Sequence, residues 1–541
     1  MLEARKLRDS QRARFVAAAA VVLYLIGSLA WIDRFPTVSQ DEPWIASSGY
    51  KLATAGSLGS DLFTGFHGME RHHFVQMPIY PLVEAAIFRV FGLGVVQMRA
   101  LSIAFGVALL LVVYMVGQEI GGDPLGASAV VLMVFQRLTS ATEVRPIGIL
   151  LLDSARLNRY DIAVPVFGLA ALWIVLRAAN ERRSSTFVLA GAVAGGAAMS
   201  HLYGVFWLPA LMAVIVAREG VMISTGRKAA LLAGGFILVC LPWMLWVGAN
   251  AADYLAQMRT VGARFDLFAP AFYLSNVLTS DGPISISWLS QTLRGLPPSR
   301  VGSWILAIGV PVATILFVRR RRVCSSRELG LFVAAAAQFG LFVALLHVKS
   351  INYTIAIWPL GALILAWLGC QLGQHRHIVF RAVVAAAVLA IAAEGTLSVA
   401  AAARAAKTTS SYDWYEQQIR ACIPDGSLVL GFQHYWLGLR RFPYRTWLLP
   451  LNMTNPSFEA QPISLDAALD RINPSIVLMD RNARALFEET ANASHPFHYL
   501  ATGFDAYRAR RSFVPRCVVR DPTYGTMEIY EVRTGLNEVT Q

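Results

Sequence analysis

The chain starts with a basic segment, MLEARKLRDSQRAR (residues 1–14), and continues into an apolar run, FVAAAAVVLYLIGSLAW (residues 15–31). An apolar run of about 20 residues behind such a segment is typical of a helix that crosses a membrane with its N-terminus in the cytoplasm. No small-residue cleavage site follows the run, which leads into IDRFP (residues 32–36). We therefore expect a retained membrane span rather than a cleaved signal peptide.

The composition extends this interpretation to the whole chain. Of the 541 residues, 56% are hydrophobic and 15% are charged, whereas a soluble domain carries about 25% charged residues. This excludes a disordered chain and, with only 5 cysteines, a disulfide-stapled secreted scaffold. The net charge of +13 lies in short clusters between apolar runs, as in cytoplasmic loops, and not among base-stacking aromatic residues, which argues against nucleic-acid binding.

The apolar runs predict about thirteen transmembrane helices within residues 1–400. Counting them alternately inside and outside places the loops 33–77 and 249–302, and the tail 401–541, outside the cytoplasm. The basic clusters then all face the cytoplasm, as the positive-inside rule requires. These clusters are Arg177, Arg182 and Arg183; Arg218, Arg227 and Lys228; Arg319 to Arg322; and His375, Arg376, His377 and Arg381.

The tail 401–541 differs in composition from the preceding spans. It predicts a soluble extracytoplasmic α/β domain, with strands at 427–432 and 475–479 and a helix at 465–471. Its only cysteines are Cys422 and Cys517. An oxidising compartment permits a disulfide between them, and the sequence leaves open whether it forms.

Two acids in the first outer loop are candidates for chemistry. Asp41 and Glu42 precede Pro43, which favours a helix from Pro43 to Ala55 that Gly56 ends. The helix dipole stabilises an ionised carboxylate at this position, which suits a general base facing an acceptor hydroxyl. The alternative is that both acids only cap the helix.

The same loop contains a cluster of cationic side chains. Arg71, His72 and His73 suit an anion such as a phosphate at the membrane surface. The nearby acids Asp61 and Glu70 raise the possibility of a divalent metal, but no established ligand spacing is present, so no metal is expected to be required. The alternative is an ordinary loop that faces lipid headgroups.

Later outer segments add further candidates. Asp161 follows Arg159 at the head of a span, where the two could form a structural ion pair or complete a cavity with Asp41. Arg264 lies in the long loop 249–302, and loops of this length are often functional. Lys349 and Tyr353 lie in another outer segment. The alternative for Lys349 is that a lysine at a helix end only extends its charged amine to the membrane surface.

Together these motifs resemble the polyprenyl-phosphate-sugar-dependent glycosyltransferases with the C-type membrane fold, in the branch of glycosyltransferase family 39 and the lipid A aminoarabinose transferases. The resemblance covers most of residues 15–400. The motifs are Asp41-Glu42, Ala53-Thr54-Ala55-Gly56, Met77-Pro78-Ile79-Tyr80, Arg159-Tyr160-Asp161, AGAVAGG (190–196) with His201, and Lys349-Ser350-Ile351-Asn352-Tyr353 with Pro359.

The resemblance implies a role for each candidate. Asp41 matches the base, Glu42 its neighbour, and Asp161 a second acid that orients the substrate or the base. Lys349 and Tyr353 match positions at the donor phosphate. Relatives place a lysine directly before the proline that opens the second span, whereas this chain has Met77 there, preceded by Gln76. Phosphate binding then passes to Arg71, His72 or Arg264.

The expected activity is transfer of one hexose or pentose from a polyprenyl-phosphate carrier to an envelope lipid, glycan or protein by inverting displacement. A single base suffices for direct attack, whereas a retaining site needs a carboxylate nucleophile. Such an enzyme resides in the inner membrane and requires no cofactor. The near alternative is a protein O-mannosyltransferase. Transport and a non-catalytic envelope scaffold are the alternatives from other classes.

Overall fold

A computed structural model of the protein describes residues 2–138, 146–178, 184–259, 268–278, 300–346 and 351–534. The helices up to residue 408 are α1 (Leu2–Leu29), α2 (Asp41–Ala55), α3 (Ile79–Phe91), α4 (Val95–Gly121), α5 (Asp123–Phe135), α6 (Leu150–Ala155), α7 (Ala163–Arg177), α8 (Ser184–Ala198), α9 (Trp207–Glu219), α10 (Ile223–Ala249), α11 (Ala251–Gln257), α12 (Pro270–Leu278), α13 (Val301–Arg320), α14 (Ser326–Leu345), α15 (Trp358–Gly373) and α16 (Ile378–Thr408).

The predicted polytopic helical membrane fold is confirmed. Eight helical segments in the described part of the chain are long and apolar enough to cross a membrane, and three apolar helices are shorter. Large apolar side chains stay exposed on their outer faces, for example Phe15, Val318 and Leu389, as expected of surfaces that lipid covers. The predicted count of about thirteen spans is not confirmed. In the apolar run 144–153, the described residues form only the start of α6, whose 6 residues reach about 9 Å.

Helix α4 relates the two ends of the bundle. Near its start, Arg99 contacts Glu42 of α2, and near its end Glu119 pairs with Arg327 of α14 at 2.7 Å. Twenty residues of helix separate Arg99 from Glu119, which corresponds to about 30 Å, the thickness of a bilayer core. Arg14 pairs with Asp123 just beyond the end of α4. These two ion pairs mark the end of the bundle away from α2.

A five-stranded sheet with surrounding helices follows α16. Its elements are α17 (Tyr412–Ala421), β1 (Val429–Gly431), α18 (Trp436–Leu439), β2 (Tyr444–Thr446), α19 (Leu448–Thr454), α20 (Leu465–Ile472), β3 (Ile476–Met479), α21 (Arg481–Thr490), α22 (His498–Arg510), β4 (Arg511–Asp521) and β5 (Gly525–Thr534). The predicted small α/β domain is confirmed. The domain boundary at residue 400 stays a prediction, because α16 runs through it.

The strand order is β2-β1-β3-β5-β4. β1 pairs in parallel with β2 and β3, and β5 pairs antiparallel with β3 and β4. The disulfide that the sequence left open is present between Cys422 and Cys517. It ties the end of α17 to β4.

The sheet domain packs directly on the first loop. One apolar core contains Leu62, Phe63 and Met98 together with Tyr415 and Trp447 of the sheet domain. Polar contacts cross the same junction: Arg445 donates to the Asp61 carbonyl at 3.2 Å and His67 to the Phe458 carbonyl at 3.0 Å. The loop that carries Asp41 is therefore held between the helical bundle and the sheet domain.

Candidate functional site

Helix α2 places two adjacent acids in opposite environments. The helix runs from Asp41 to Ala55 and ends at Gly56, whose φ of 71° is left-handed. It thus begins two residues before the predicted start at Pro43. The Asp41 side chain is 52% exposed, whereas the Glu42 side chain is fully buried. Only Asp41 is open to a ligand.

Glu42 is enclosed by donors. Arg99 reaches it with two parallel hydrogen bonds of 2.8 and 2.9 Å, and the amides of Ser39 and Asn158 donate to its two oxygens at 2.9 and 3.0 Å. This many donors fix the buried carboxylate in place. Glu42 therefore positions the start of α2, and its carboxylate has no room for a substrate.

A polar network continues from Glu42 into the segment before α7. Asn158 donates to Glu84 at 2.7 Å and accepts a hydrogen bond from Tyr80 at 2.7 Å. Ser102 accepts a hydrogen bond from the Arg159 amide at 3.0 Å and contacts the Tyr80 hydroxyl at 2.7 Å. These contacts fix the backbone that carries Arg159.

Arg159 joins the two candidate acids. Its Nη1 pairs with Asp41, and its Nε and Nη2 both lie 2.9 Å from Asp161 Oδ2. The structure thus brings both acids to one guanidinium. The predicted catalytic role of Asp161 stays a prediction. Two carboxylates against one guanidinium leave one negative charge, so this cluster alone does not neutralise a phosphate.

Aromatic side chains close the deep side of the cluster. His201 Nε2 lies 3.7 Å from Asp161 Oδ1, and its ring stacks on Tyr160 at 5.1 Å. Tyr203 and Tyr353 pack against it with ring centroids 4.0 and 5.8 Å away. Tyr353 was predicted for the site, whereas His201 was noted only as part of a motif. Aromatic rings thus enclose the Asp161 side of the cluster, whereas the Asp41 side chain stays half exposed.

The predicted cations of the first loop belong to a different contact network. Arg71 and His72 both approach Asp253 Oδ2, at 3.4 and 2.9 Å. His72 also packs edge-on against Trp246 of α10 at 5.5 Å. Within the described residues, neither of them contacts Asp41 or Arg159. Their predicted contact with the donor phosphate therefore stays a prediction.

His73 is completely buried. Its Nδ1 lies 2.5 Å from the Ser48 hydroxyl, and its ring stands between Trp44 and Phe63 at 5.8 and 6.4 Å. Burial lowers the pKa of His73 to about 4, so the ring is neutral near pH 7. This environment is that of a packing residue that holds α2 against the loop, not of a residue that meets an anion.

Two predicted residues, Arg264 and Lys349, lie outside the described residues. The sequence interpretation missed Arg99, Asn158 and Glu84. A lone arginine next to an apolar run was the available signal for Arg99, because such a residue needs a buried partner. In the part of the chain that the structure describes, no group of three or more His, Cys, Asp or Glu residues is arranged to hold a metal ion.

Comparisons with known proteins identify the class of this fold. Residues 75–246 match the family model of the dolichyl-phosphate-mannose-protein mannosyltransferases. That segment includes Arg99, Asn158, Arg159, Asp161 and His201. No curated protein matches the sequence. With the structural likenesses, this match confirms the resemblance to the C-type membrane glycosyltransferases.

Two solved structures resemble the chain over nearly its whole length. ArnT from Cupriavidus metallidurans bound to undecaprenyl phosphate has a TM-score of 0.63 and 15% identity, and the match covers 96% of this chain and 98% of ArnT. The oligosaccharyltransferase AglB from Archaeoglobus fulgidus, in complex with an inhibitory peptide and a dolichol-phosphate, has a TM-score of 0.58 and 12% identity, with 98% and 75% covered. The chain therefore has the C-type glycosyltransferase fold, including the sheet domain.

Proposed function

We propose that this protein transfers a single sugar from a polyprenyl-phosphate carrier to an acceptor hydroxyl at the extracytoplasmic face of the inner membrane. One observation carries the proposal: the exposed carboxylate of Asp41 is held by Arg159, which Asp161 anchors in turn. The matched family and the two similar structures, whose names include dolichyl, undecaprenyl and dolichol phosphate, support a carrier of this class.

In this proposal Asp41 is the general base. Its carboxylate removes the proton of the acceptor hydroxyl while the hydroxyl oxygen attacks the anomeric carbon. The bond from that carbon to the phosphate oxygen breaks, and the carrier phosphate leaves with the electron pair. Attack from the opposite side inverts the anomeric centre. Arg159 and Asp161 hold Asp41 in the orientation that this step needs, which is the role of a preorganised site.

The departing phosphate gains negative charge, so a cation near it stabilises the transition state more than the ground state. Both carboxylates already occupy Arg159, so we assign this role to a further cation. Lys349 precedes Tyr353 by four residues, and the family resemblance matches both to positions at the donor phosphate. Arg71, His72 and Arg264 are the remaining candidates.

The experiment is transfer of radiolabelled sugar from undecaprenyl-phosphate donors to native envelope acceptors in membranes that contain the full chain. We expect Asp41→Asn to lower kcat/KM by about 100-fold or more, because positioned general bases contribute about 10²–10⁴-fold. Asp33→Asn is the matched control, since Asp33 is an exposed acid of the same loop that pairs only with Arg34 among the described residues. Undiminished transfer by Asp41→Asn would refute Asp41 as the base.

A protein acceptor is the second candidate, and the name of the matched family favours it. Analysis of the labelled product separates the two: label in proteinase-sensitive material indicates O-mannosylation, and label in extractable lipid or glycan indicates an envelope acceptor. Uptake of labelled solute into vesicles without any transfer would instead support the transporter alternative.

A further inference from the structure

A cleft of about 410 Å³ lies between the segment 37–40 and the sheet domain. Its lining includes Gln40, the residue directly before Asp41, and consecutive Cα atoms are about 3.8 Å apart. The opposite wall contains His434, Tyr435, Asp480 and Asn482, and the turn 522–525 completes it. The lining therefore reaches the residue that precedes the proposed base.

The sheet topology accounts for the position of this cleft. The parallel strands β1 and β3 are neighbours, and Tyr435 and Asp480 follow their carboxyl ends. From β1 the chain continues to β2 on one side, and from β3 it continues to β5 and β4 on the other. Open α/β sheets bind ligands at such a point, where connections leave neighbouring strands in opposite directions. The position of the cleft thus follows from the topology of the sheet.

A fixed polar group lies on the cleft wall. Asp480 Oδ2 accepts a hydrogen bond from Tyr435 at 3.0 Å and lies 3.5 Å from His434 Nε2, while Oδ1 accepts the amide of Ala483 at 2.8 Å. His434 is only 7% exposed, and its Nδ1 has no hydrogen-bond partner among the described residues. A buried polar atom without a partner costs free energy unless a ligand or water satisfies it.

We propose that this cleft binds the saccharide portion of the acceptor and directs its hydroxyl toward Asp41. The accessible amides of Asn482 and Gln40 suit the hydroxyl groups of a sugar ring, and Asp480 accepts a hydrogen bond from Asn482 at 3.3 Å, which holds that amide in place. The partly exposed ring of Tyr524 suits the C–H groups of the sugar. A volume of about 410 Å³ is within the range of small-molecule sites, about 300–1,000 Å³. The lining contains one carboxylate, Asp480, and one guanidinium, Arg481, so its formal charges balance, which suits a neutral saccharide.

The assignment rests on the proposed function, but its test needs no turnover. Fluorescently labelled full-length protein in detergent is applied to an array of neutral and anionic oligosaccharides. We expect wild type to bind at least one neutral oligosaccharide and Asn482→Trp, which fills the cleft, to weaken this binding tenfold or more. Glu489→Trp is the matched control, because Glu489 is exposed on the same helix and outside the cleft.

A second variant keeps the test valid if Asn482→Trp fails to fold. Asp480→Asn keeps the shape of the side chain and its capping oxygen, and we expect it to weaken binding tenfold or more with an unchanged circular dichroism spectrum. Binding of no neutral oligosaccharide, binding of anionic ones alone, or equal binding by wild type and both variants would overturn the assignment. Asp41→Asn should bind the oligosaccharides as wild type does. The binding result can therefore be interpreted even if Asp41 is not the base.

Discussion

Arg159 is the residue on which the geometry of the site depends most. Its planar guanidinium donates hydrogen bonds to Asp41 through Nη1 and to Asp161 through Nε. A lysine is a point charge on a flexible stem and cannot hold both carboxylates with the same geometry. We expect Arg159→Lys to lower kcat about 10- to 100-fold with a smaller change in KM, because misplacement by about 1 Å can cost 10²-fold.

The control for this prediction is Arg34→Lys, which changes an exposed ion pair with Asp33. Steady-state kinetics with donor and acceptor varied separately provide the measurement. If kcat stays unchanged while the KM for the donor rises, Arg159 binds phosphate rather than orienting Asp41, and its assignment as a positioning residue is refuted.

The burial of His73 predicts a pH dependence of stability. Its pKa is near 4 in the folded protein and about 6.5 when the chain unfolds. The unfolded state therefore binds the proton first, and stability falls as the pH drops from about 6.5 toward 4. Thermal unfolding in detergent should show a smaller loss between pH 7 and 5 for Ser48→Ala/His73→Phe than for wild type. An identical slope in both proteins would contradict this.

The site illustrates what sequence patterns can and cannot provide at the residue scale. Asp41 was predicted from its place before Pro43 at a helix start, and Arg159 and Asp161 from their place at the head of an apolar run. Arg99, the partner of Glu42, was not predicted, because it is distant in sequence and only the fold brings the start of α4 to the start of α2. Likewise, His73 has the residue type of an anion ligand, but its burial depends on how α2 and the loop fold together.

At the scale of elements, the start of α2 depends on the ion pair between Glu42 and Arg99. Removing one partner of a buried pair costs about 3–5 kcal/mol, because the other charge is left unpaired, whereas replacing both is often far less costly. We expect Arg99→Met to destabilise the protein strongly and Glu42→Gln/Arg99→Met to recover part of the loss. Thermal unfolding of the purified variants tests this. Additive losses in the double variant would mean that the pair is not coupled.

The sheet domain shows which elements the sequence could specify. The predicted strands at 427–432 and 475–479 correspond to β1 and β3, and the predicted helix at 465–471 corresponds to α20. Their register and order depend on contacts far apart in sequence, so the crevice between β1 and β3 could not be predicted. The run 144–153 failed as a span because apolar character alone does not distinguish a membrane helix from a short buried one.

At the scale of the whole molecule, α4 separates two ends of the bundle. The Asp41 cluster and the sheet domain lie at one end, and the pairs Arg14–Asp123 and Arg327–Glu119 lie about 30 Å away along α4. From the positive-inside rule we predict that the end with Arg14 and Arg327 faces the cytoplasm. A carrier with its polyprenyl tail in the bilayer would present its phosphate at the outer end.

Cysteine labelling in spheroplasts tests this orientation. In a background with Cys240, Cys324 and Cys370 changed to serine, we expect Asp505→Cys on α22 to react with a membrane-impermeant maleimide before lysis. Arg322→Cys beyond α13 should react only after lysis, because both side chains are exposed and only the membrane distinguishes them. The reverse pattern would place Asp41 on the cytoplasmic side and refute the extracytoplasmic site, whereas the fold and the Arg159 cluster would stand.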